Sequence, residues 1–180
     1  NEKGIIQGHK NPQLSKSGIE EAKILAKKLK GINFDSVFSS DLLRAKKTSE
    51  IIALEHKLKV QTTKNLRERK YGKFEGKPNK EYDKVKKILE KLTNEERYSL
   101  KMYGIESDKE IVERLVTFLR EIAIGNPGKK ILVVTHGSVM RFFLIKLGSG
   151  NYSSLRSGAV KKGAFIKLQT DGTDFFIKEL

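Results

Sequence analysis

Residues 129–138 read KKILVVTHGS. Ile131, Leu132, Val133 and Val134 form an unbroken apolar run between two lysines and a polar turn, the pattern of a strand covered on both faces. Val139 to Leu147 continues with helical spacing, so Thr135-His136-Gly137 is the turn of a strand-turn-helix unit. A second unit lies upstream. FDSVFS (34–39) is short, apolar and rich in β-formers, and it runs into SDLLRAKKTSEIIALEH (40–56), where Leu42, Ala45, Thr48, Ile51 and Ile52 recur helically. Two such units predict parallel strands joined by helices.

The remaining chain fits around them. Ser15 followed by Gly18, Glu20 and Glu21 is a capped helix start, and Ile19, Ala22, Leu25, Ala26 and Leu29 carry that helix to Gly31. Leu58 to Thr62 reads as a strand, and NLRERKYGKFEGK (65–77) as a charged, Gly-containing loop. One or two amphipathic helices are expected between Glu81 and Tyr103. A clearer one is marked by Ile111, Val112, Leu115, Phe118, Leu119 and Ile122 and ended by GNPG. Residues 165–169 and 175–178 flank Thr170-Asp171-Gly172-Thr173 as a terminal hairpin. This order predicts an α/β fold: a three-layer α/β/α sandwich with a mostly parallel sheet, forming one domain over residues 1–180.

Composition narrows the chemistry. The 180 residues contain no Cys, which removes disulfides, thiolate metal sites and cysteine nucleophiles, and three His are too few for a histidine metal cluster. No metal and no cofactor is expected. No apolar run approaches a membrane span and no signal-like segment opens the chain, so a cytoplasmic location without membrane contact is expected. The net charge of +15 should attract anions. Lys outnumbers Arg 29 to 8 and is spread over nearly every helix, with no nucleic-acid motif, which argues against a nucleic-acid partner.

In parallel sheets, ligands bind beyond the carboxyl ends of the strands, beside helix N-termini. Two turns here open there: Ser39-Ser40-Asp41, with Arg44 one helical turn on, and Thr135-His136-Gly137. Arg44 offers a planar fork for phosphate oxygens, His136 an imidazole, and Glu68 a carboxyl acid or base. Each has a plainer reading. Arg44 could pair with Asp41 three residues before it, His136 could cap its helix, and Glu68 between two arginines could be a solvated cluster. His9 and His56 read as exposed.

Several blocks together carry a resemblance. The stretch from Asn1 to Leu29, FDSVFSSDLLRAKKTSEII, NLRERKYGKFEG, YGIESDKEIVERLVTFL and ILVVTHGSVMRFFL are similar, in order, to segments of the histidine phosphatase superfamily, the phosphoglycerate mutase-like family. The resemblance implies a phosphohistidine mechanism. His136 matches the second histidine, which stabilises the transferring phosphoryl group, Arg44 the arginine of the phosphate pocket, and Glu68 the acid. Asn1, Gln7, Gly8 and Gly137 match phosphate-pocket or substrate-edge positions.

The family's Arg-His-Gly motif, which carries the attacking histidine, falls before the position that Asn1 matches. The expectation is therefore an N-terminally incomplete enzyme whose first strand and nucleophile lie outside these residues, the chain as it stands being inactive. Asn1 in place of Met agrees. Ser138 stands where the acid phosphatase branch has Asp, which leaves Glu68 as the acid. The Glu68–His136 stretch is shorter than in the true mutases and holds no Arg-Arg pair, so hydrolysis is favoured. The expected activity is a cofactor-independent phosphomonoesterase acting on a small phosphorylated metabolite. The alternatives are a phosphoglycerate mutase and a non-catalytic phospholigand-binding domain.

Overall fold

A computed structural model describes residues 4–179. Three parallel strands, β1 (Ser36–Ser40), β2 (Val60–Thr63) and β3 (Ile131–Val134), form one sheet in the order β2-β1-β3. The register sets Val37 beside Leu132 and Phe38 beside Val133. Because side chains alternate along a strand, these pairs feed opposite faces. On one face Leu132 packs with Ala26 and Leu29 of helix α1 (Lys16–Leu29) and Ile52 of α2 (Leu43–Glu55). On the other, Phe38 and Val133 pack against α5 (Asp108–Gly125) and α6 (Gly137–Lys146), with Phe38 edge-on to Phe118 at 5.5 Å. Helices thus cover both faces of the sheet, as the alternation of elements predicts.

The helix starts follow their sequence cues. Ser15 Oγ accepts the Gly18 amide at 3.2 Å to open α1. Ser107 and Glu110 cap α5 reciprocally, the serine accepting the Glu110 amide and the glutamate accepting the Ser107 amide at 2.9 Å. The 81–103 region forms two short helices, α3 (Asp83–Leu89) and α4 (Asn94–Ser99). The terminal hairpin, β4 (Lys167–Thr170) and β5 (Phe175–Glu179), is antiparallel and separate from the parallel sheet. Among the described residues the parallel sheet therefore has three strands.

Two expectations are corrected. β3 is only half-buried along its whole length, because among the described residues it pairs with β1 on one edge and has no strand on the other. His56 is not exposed: it is half-buried at the end of α2, edge-on to Phe34 at 5.0 Å.

A second apolar cluster positions the site. Ile6, Phe74, Tyr82, Val85, Leu89 and Ile105 pack together. They bring the segment before α1 against the 68–77 loop, where Ile6 exchanges backbone hydrogen bonds with Lys77 (2.9 Å) and Gly76 (2.7 Å). Gln7 and Gly8 are thereby fixed opposite Glu68.

Candidate active site

Gln7, Gly8, Arg44, Glu68 and Tyr71 line one cavity of about 330 Å³, with Ile5, Ile6, Asn79, Tyr82, Lys86 and Ser157 completing its wall. Four of the residues singled out from the sequence therefore share a cavity. Gly8 sits at φ +52°, and a Cβ there would lie 2.3 Å from the Glu75 carboxyl, so the close approach of this turn to the acid loop needs glycine. Asn1 lies outside the described residues.

Arg44 does not pair with Asp41. Asp41 is taken by Arg67, two hydrogen bonds of 2.7 Å joining the two side chains. Arg44 instead donates to the carbonyls of Gly8 (2.9 Å) and Lys10 (3.1 Å), which tether the fork from one side. Among the described residues it has no carboxylate within ion-pairing distance, and burial depresses its pKa against the pull of Glu68 and Glu75. A guanidinium carries five N–H groups, so three remain for a ligand. This is a partly desolvated cation poised for an anion.

Glu68 is half-buried rather than a solvated surface charge. One carboxyl oxygen accepts the Arg69 amide at 2.7 Å. Burial raises its pKa above the ordinary glutamate value, opposed by the Arg69 amide, the charge of Arg44, the Ser138 hydroxyl and the charge of Arg114. Tyr71 is pushed up to about 12 by burial and the Glu68 charge, so its hydroxyl stays protonated at any physiological pH. It lies 3.4 Å from Ser138 Oγ.

His136 occupies the N-cap position of α6, yet its side chain does not cap. It is buried, and its Nε2 lies 2.9 Å from Ser40 Oγ, which also accepts the Leu42 amide at 3.3 Å. The turns after β3 and β1 thus meet through one hydrogen bond. Burial lowers the His136 pKa well below its ordinary value, helped by the charges of Arg44, Arg114 and His9. The imidazole is neutral at pH 7. His136 and Gly137 do not line the cavity shared by Arg44 and Glu68; electrostatics, rather than a common wall, couples His136 to Arg44.

Other participants were less legible. His9 is half-buried, not exposed: its amide donates to Glu75 Oε1 at 3.0 Å and its Nε2 lies 2.8 Å from the Glu68 carbonyl. Arg114 donates to the Asn65 carbonyl (2.6 Å) and the Glu68 carbonyl (3.3 Å) while pairing with Glu106 at 2.6 Å. Its position three residues after Ile111, on the apolar stripe of α5, was the available cue. Tyr71 offered none beyond its place in the loop. Among the described residues, no three His, Asp or Glu side chains gather as a metal site, and no helix is long and apolar enough to cross a membrane.

Chemically, the arrangement can hold a phosphoryl dianion on Arg44, receive charge beside a neutral imidazole and deliver a proton from a carboxyl whose pKa burial raises.

Comparison with known proteins shows the family. The family model of the histidine phosphatase superfamily (branch 1) matches residues 1–180. Phosphoglycerate mutase-like protein 4 of Arabidopsis thaliana is 37% identical over 139 residues, 76% of this chain and 60% of the relative, so the chain spans less than two thirds of that protein. An uncharacterized phosphatase of Bacillus subtilis, PhoE, is 30% identical over 146 residues, 81% of this chain and 69% of its own. The crystal structure of a phosphoglycerate mutase from Bacillus anthracis superposes with a TM-score of 0.82 at 25% identity, covering 100% of this chain and 86% of that one. A mycobacterial glucosyl-3-phosphoglycerate phosphatase in complex with inorganic phosphate shares the fold, with a TM-score of 0.79 at 20% identity over 96% of this chain and 89% of its own.

Proposed function

Because the chain belongs to branch 1 of the histidine phosphatase superfamily, we propose that it forms a single domain of a cytoplasmic phosphomonoester hydrolase. The enzyme works through a phosphohistidine whose attacking imidazole comes from outside these 180 residues. The observation that carries this reading is Arg44: a cation without a carboxylate partner among the described residues, in one cavity with a carboxyl whose pKa burial raises.

The chemistry follows from those two groups and His136. Arg44 holds two non-bridging oxygens of the substrate phosphoryl group with its free N–H donors. As the P–N bond to the attacking imidazole forms and the P–O bond to the alcohol breaks, negative charge spreads over the equatorial oxygens. His136 meets that charge as a neutral imidazole, whose ring N–H can donate to a phosphoryl oxygen without any proton being transferred. Glu68 gives its proton to the leaving oxygen. In the second step the Glu68 carboxylate takes a proton from water, the water oxygen bonds to phosphorus, and the P–N bond breaks to release phosphate. Gln7 and Gly8, which share the cavity with Arg44 and Glu68, edge the phosphate site, and Gly137 and Asn1 are assigned there from the family resemblance.

Hydrolysis is preferred to mutation because no adjacent arginine pair lies between Glu68 and His136 to clamp a second anionic group. The mutase reading draws on the names of the Arabidopsis relative and the Bacillus anthracis structure. The deciding experiment incubates the protein, as its natural host produces it, with a panel of small phosphomonoesters and with 3-phosphoglycerate plus a bisphosphoglycerate primer. Phosphate release faster than phosphoglycerate interconversion supports hydrolysis; the reverse order supports the mutase. Phosphate affinity without either reaction would make the protein a phospholigand-binding domain.

A further inference from the structure

Glu68 lies on a loop without regular structure, so something must hold its carboxyl where a leaving oxygen can reach it. Its neighbour Arg69 is the anchor. The Arg69 amide donates to Glu68 Oε1 at 2.7 Å, while the Arg69 side chain is buried between the rings of Tyr71 and Phe142, at 5.7 and 5.2 Å. Its Nε donates to the Glu106 carbonyl at 2.9 Å, and one terminal nitrogen lies 3.1 Å from Asp108 Oδ1, the two side chains being 8% and 3% exposed. Asp108 is the first residue of α5, and its other oxygen accepts the Tyr152 hydroxyl at 2.8 Å. Arg97 stacks over the Tyr152 ring at 3.9 Å.

A buried ion pair of this kind is a poor source of stability, since desolvating two charges offsets most of their attraction. Its value lies in position: the Asp108 charge holds the Arg69 guanidinium beside it while the Nε hydrogen bond to the Glu106 carbonyl orients it, and Arg69 carries Glu68 with it. Neither residue reaches the described cavity. We propose that Asp108, acting through Arg69, is the positioning residue for the Glu68 carboxyl. The inference rests on Glu68 being the acid.

The test removes the pair as a unit. Asp108→Asn alone would strand a buried guanidinium and risk unfolding, whereas Arg69→Met/Asp108→Leu removes both charges at similar volume and should fold. The first readout needs no turnover: the Glu68 carboxyl is titrated by ¹³C NMR in the protein as its natural host produces it. Arg44, Arg114, Ser138 and the residue 69 amide still face Glu68 in the double variant, and the two deleted charges are opposite in sign. A loosened loop lets water reach the carboxyl, so its midpoint falls toward the ordinary glutamate value. An unchanged midpoint in a folded double variant overturns the proposal.

The second readout is a cycle in the enzyme as the natural host produces it. The double substitution lowers kcat about 10- to 100-fold, the scale of a small misplacement of a reacting group, with KM little changed. On a Glu68→Gln background it costs nothing further. A full, additive loss on that background overturns the proposal by showing that the pair acts elsewhere. A Glu68→Gln enzyme with wild-type turnover would overturn the acid reading itself, and the titration then decides the positional claim alone.

Discussion

Replacing Arg44 by Met keeps the aliphatic stem and deletes the fork. Of the five N–H groups, two go to the Gly8 and Lys10 carbonyls and three are free. If two of the three bind phosphoryl oxygens, each charge-assisted bond being worth about 1.5–3 kcal/mol, the loss is about 3–6 kcal/mol. At 1.4 kcal/mol per decade this is a fall of roughly 10²- to 10⁴-fold in phosphate affinity. Stability should respond differently. The variant loses two charge-assisted hydrogen bonds, about 1.5–3 kcal/mol each, but no longer holds a partly desolvated cation without a carboxylate partner, so the two effects oppose. A net change within about 1 kcal/mol shifts the melting temperature by no more than about 2–4 °C in a chain of this size. Isothermal titration with inorganic phosphate and a thermal melt test both halves. Phosphate affinity within threefold of wild type in Arg44→Met would refute the assignment of Arg44 to the phosphate site. An affinity loss accompanied by a melting-temperature drop beyond about 10 °C would show that its role is structural.

The other expectations concern protons. Glu68→Gln should lower kcat by about 10²- to 10⁴-fold and remove the alkaline limb of the rate profile, read from steady-state rates between pH 5 and 9. Because the folded-state pKa of Glu68 is raised above 4.5, the fold binds a proton that the unfolded chain has released, and stability declines as pH rises from 4.5 through the raised value. Glu68→Gln should therefore be more stable than wild type at pH 8, measured by urea unfolding. His136 has the opposite sign: its folded pKa is depressed below 6.5, so its contribution is complete above 6.5 and is lost as pH falls toward the depressed value. A His136→Phe variant should show a flatter stability profile between pH 5 and 6.5, with turnover down at least 10²-fold. Ser40→Ala should leave His136 without its Nε2 partner and lower kcat about tenfold while Glu68 titrates as in wild type.

The two strand-turn-helix units were legible because a short apolar run followed by a 3.6-residue repeat leaves few alternatives, and each run fell on a parallel strand. The burial of β3 was misjudged for a physical reason: an apolar run reports what a strand is suited to, not which neighbours cover it. Arg44 and Glu68 were found from chemistry plus position, but Arg44's partners were not. Spacing pointed to Asp41, which Arg67 reaches from 26 positions away. The same blindness to long-range pairing hid Arg69–Asp108, two charged residues 39 positions apart that the fold buries together. His136 was visible as a residue ending an apolar strand, while its hydrogen bond to Ser40 spans 96 positions and depends on β1 and β3 lying side by side.

The most direct test of a phosphohistidine hydrolase is to trap the intermediate. The protein as its natural host produces it is mixed with a ³²P-labelled phosphomonoester and quenched in alkali within one turnover. The account predicts label on the protein, stable to alkali and labile to acid as a phosphoramidate is, mapping to a histidine and disappearing as inorganic phosphate is released. Phosphate release with no labelled protein at any quench time, or label that is stable to acid and lost in alkali, would contradict it.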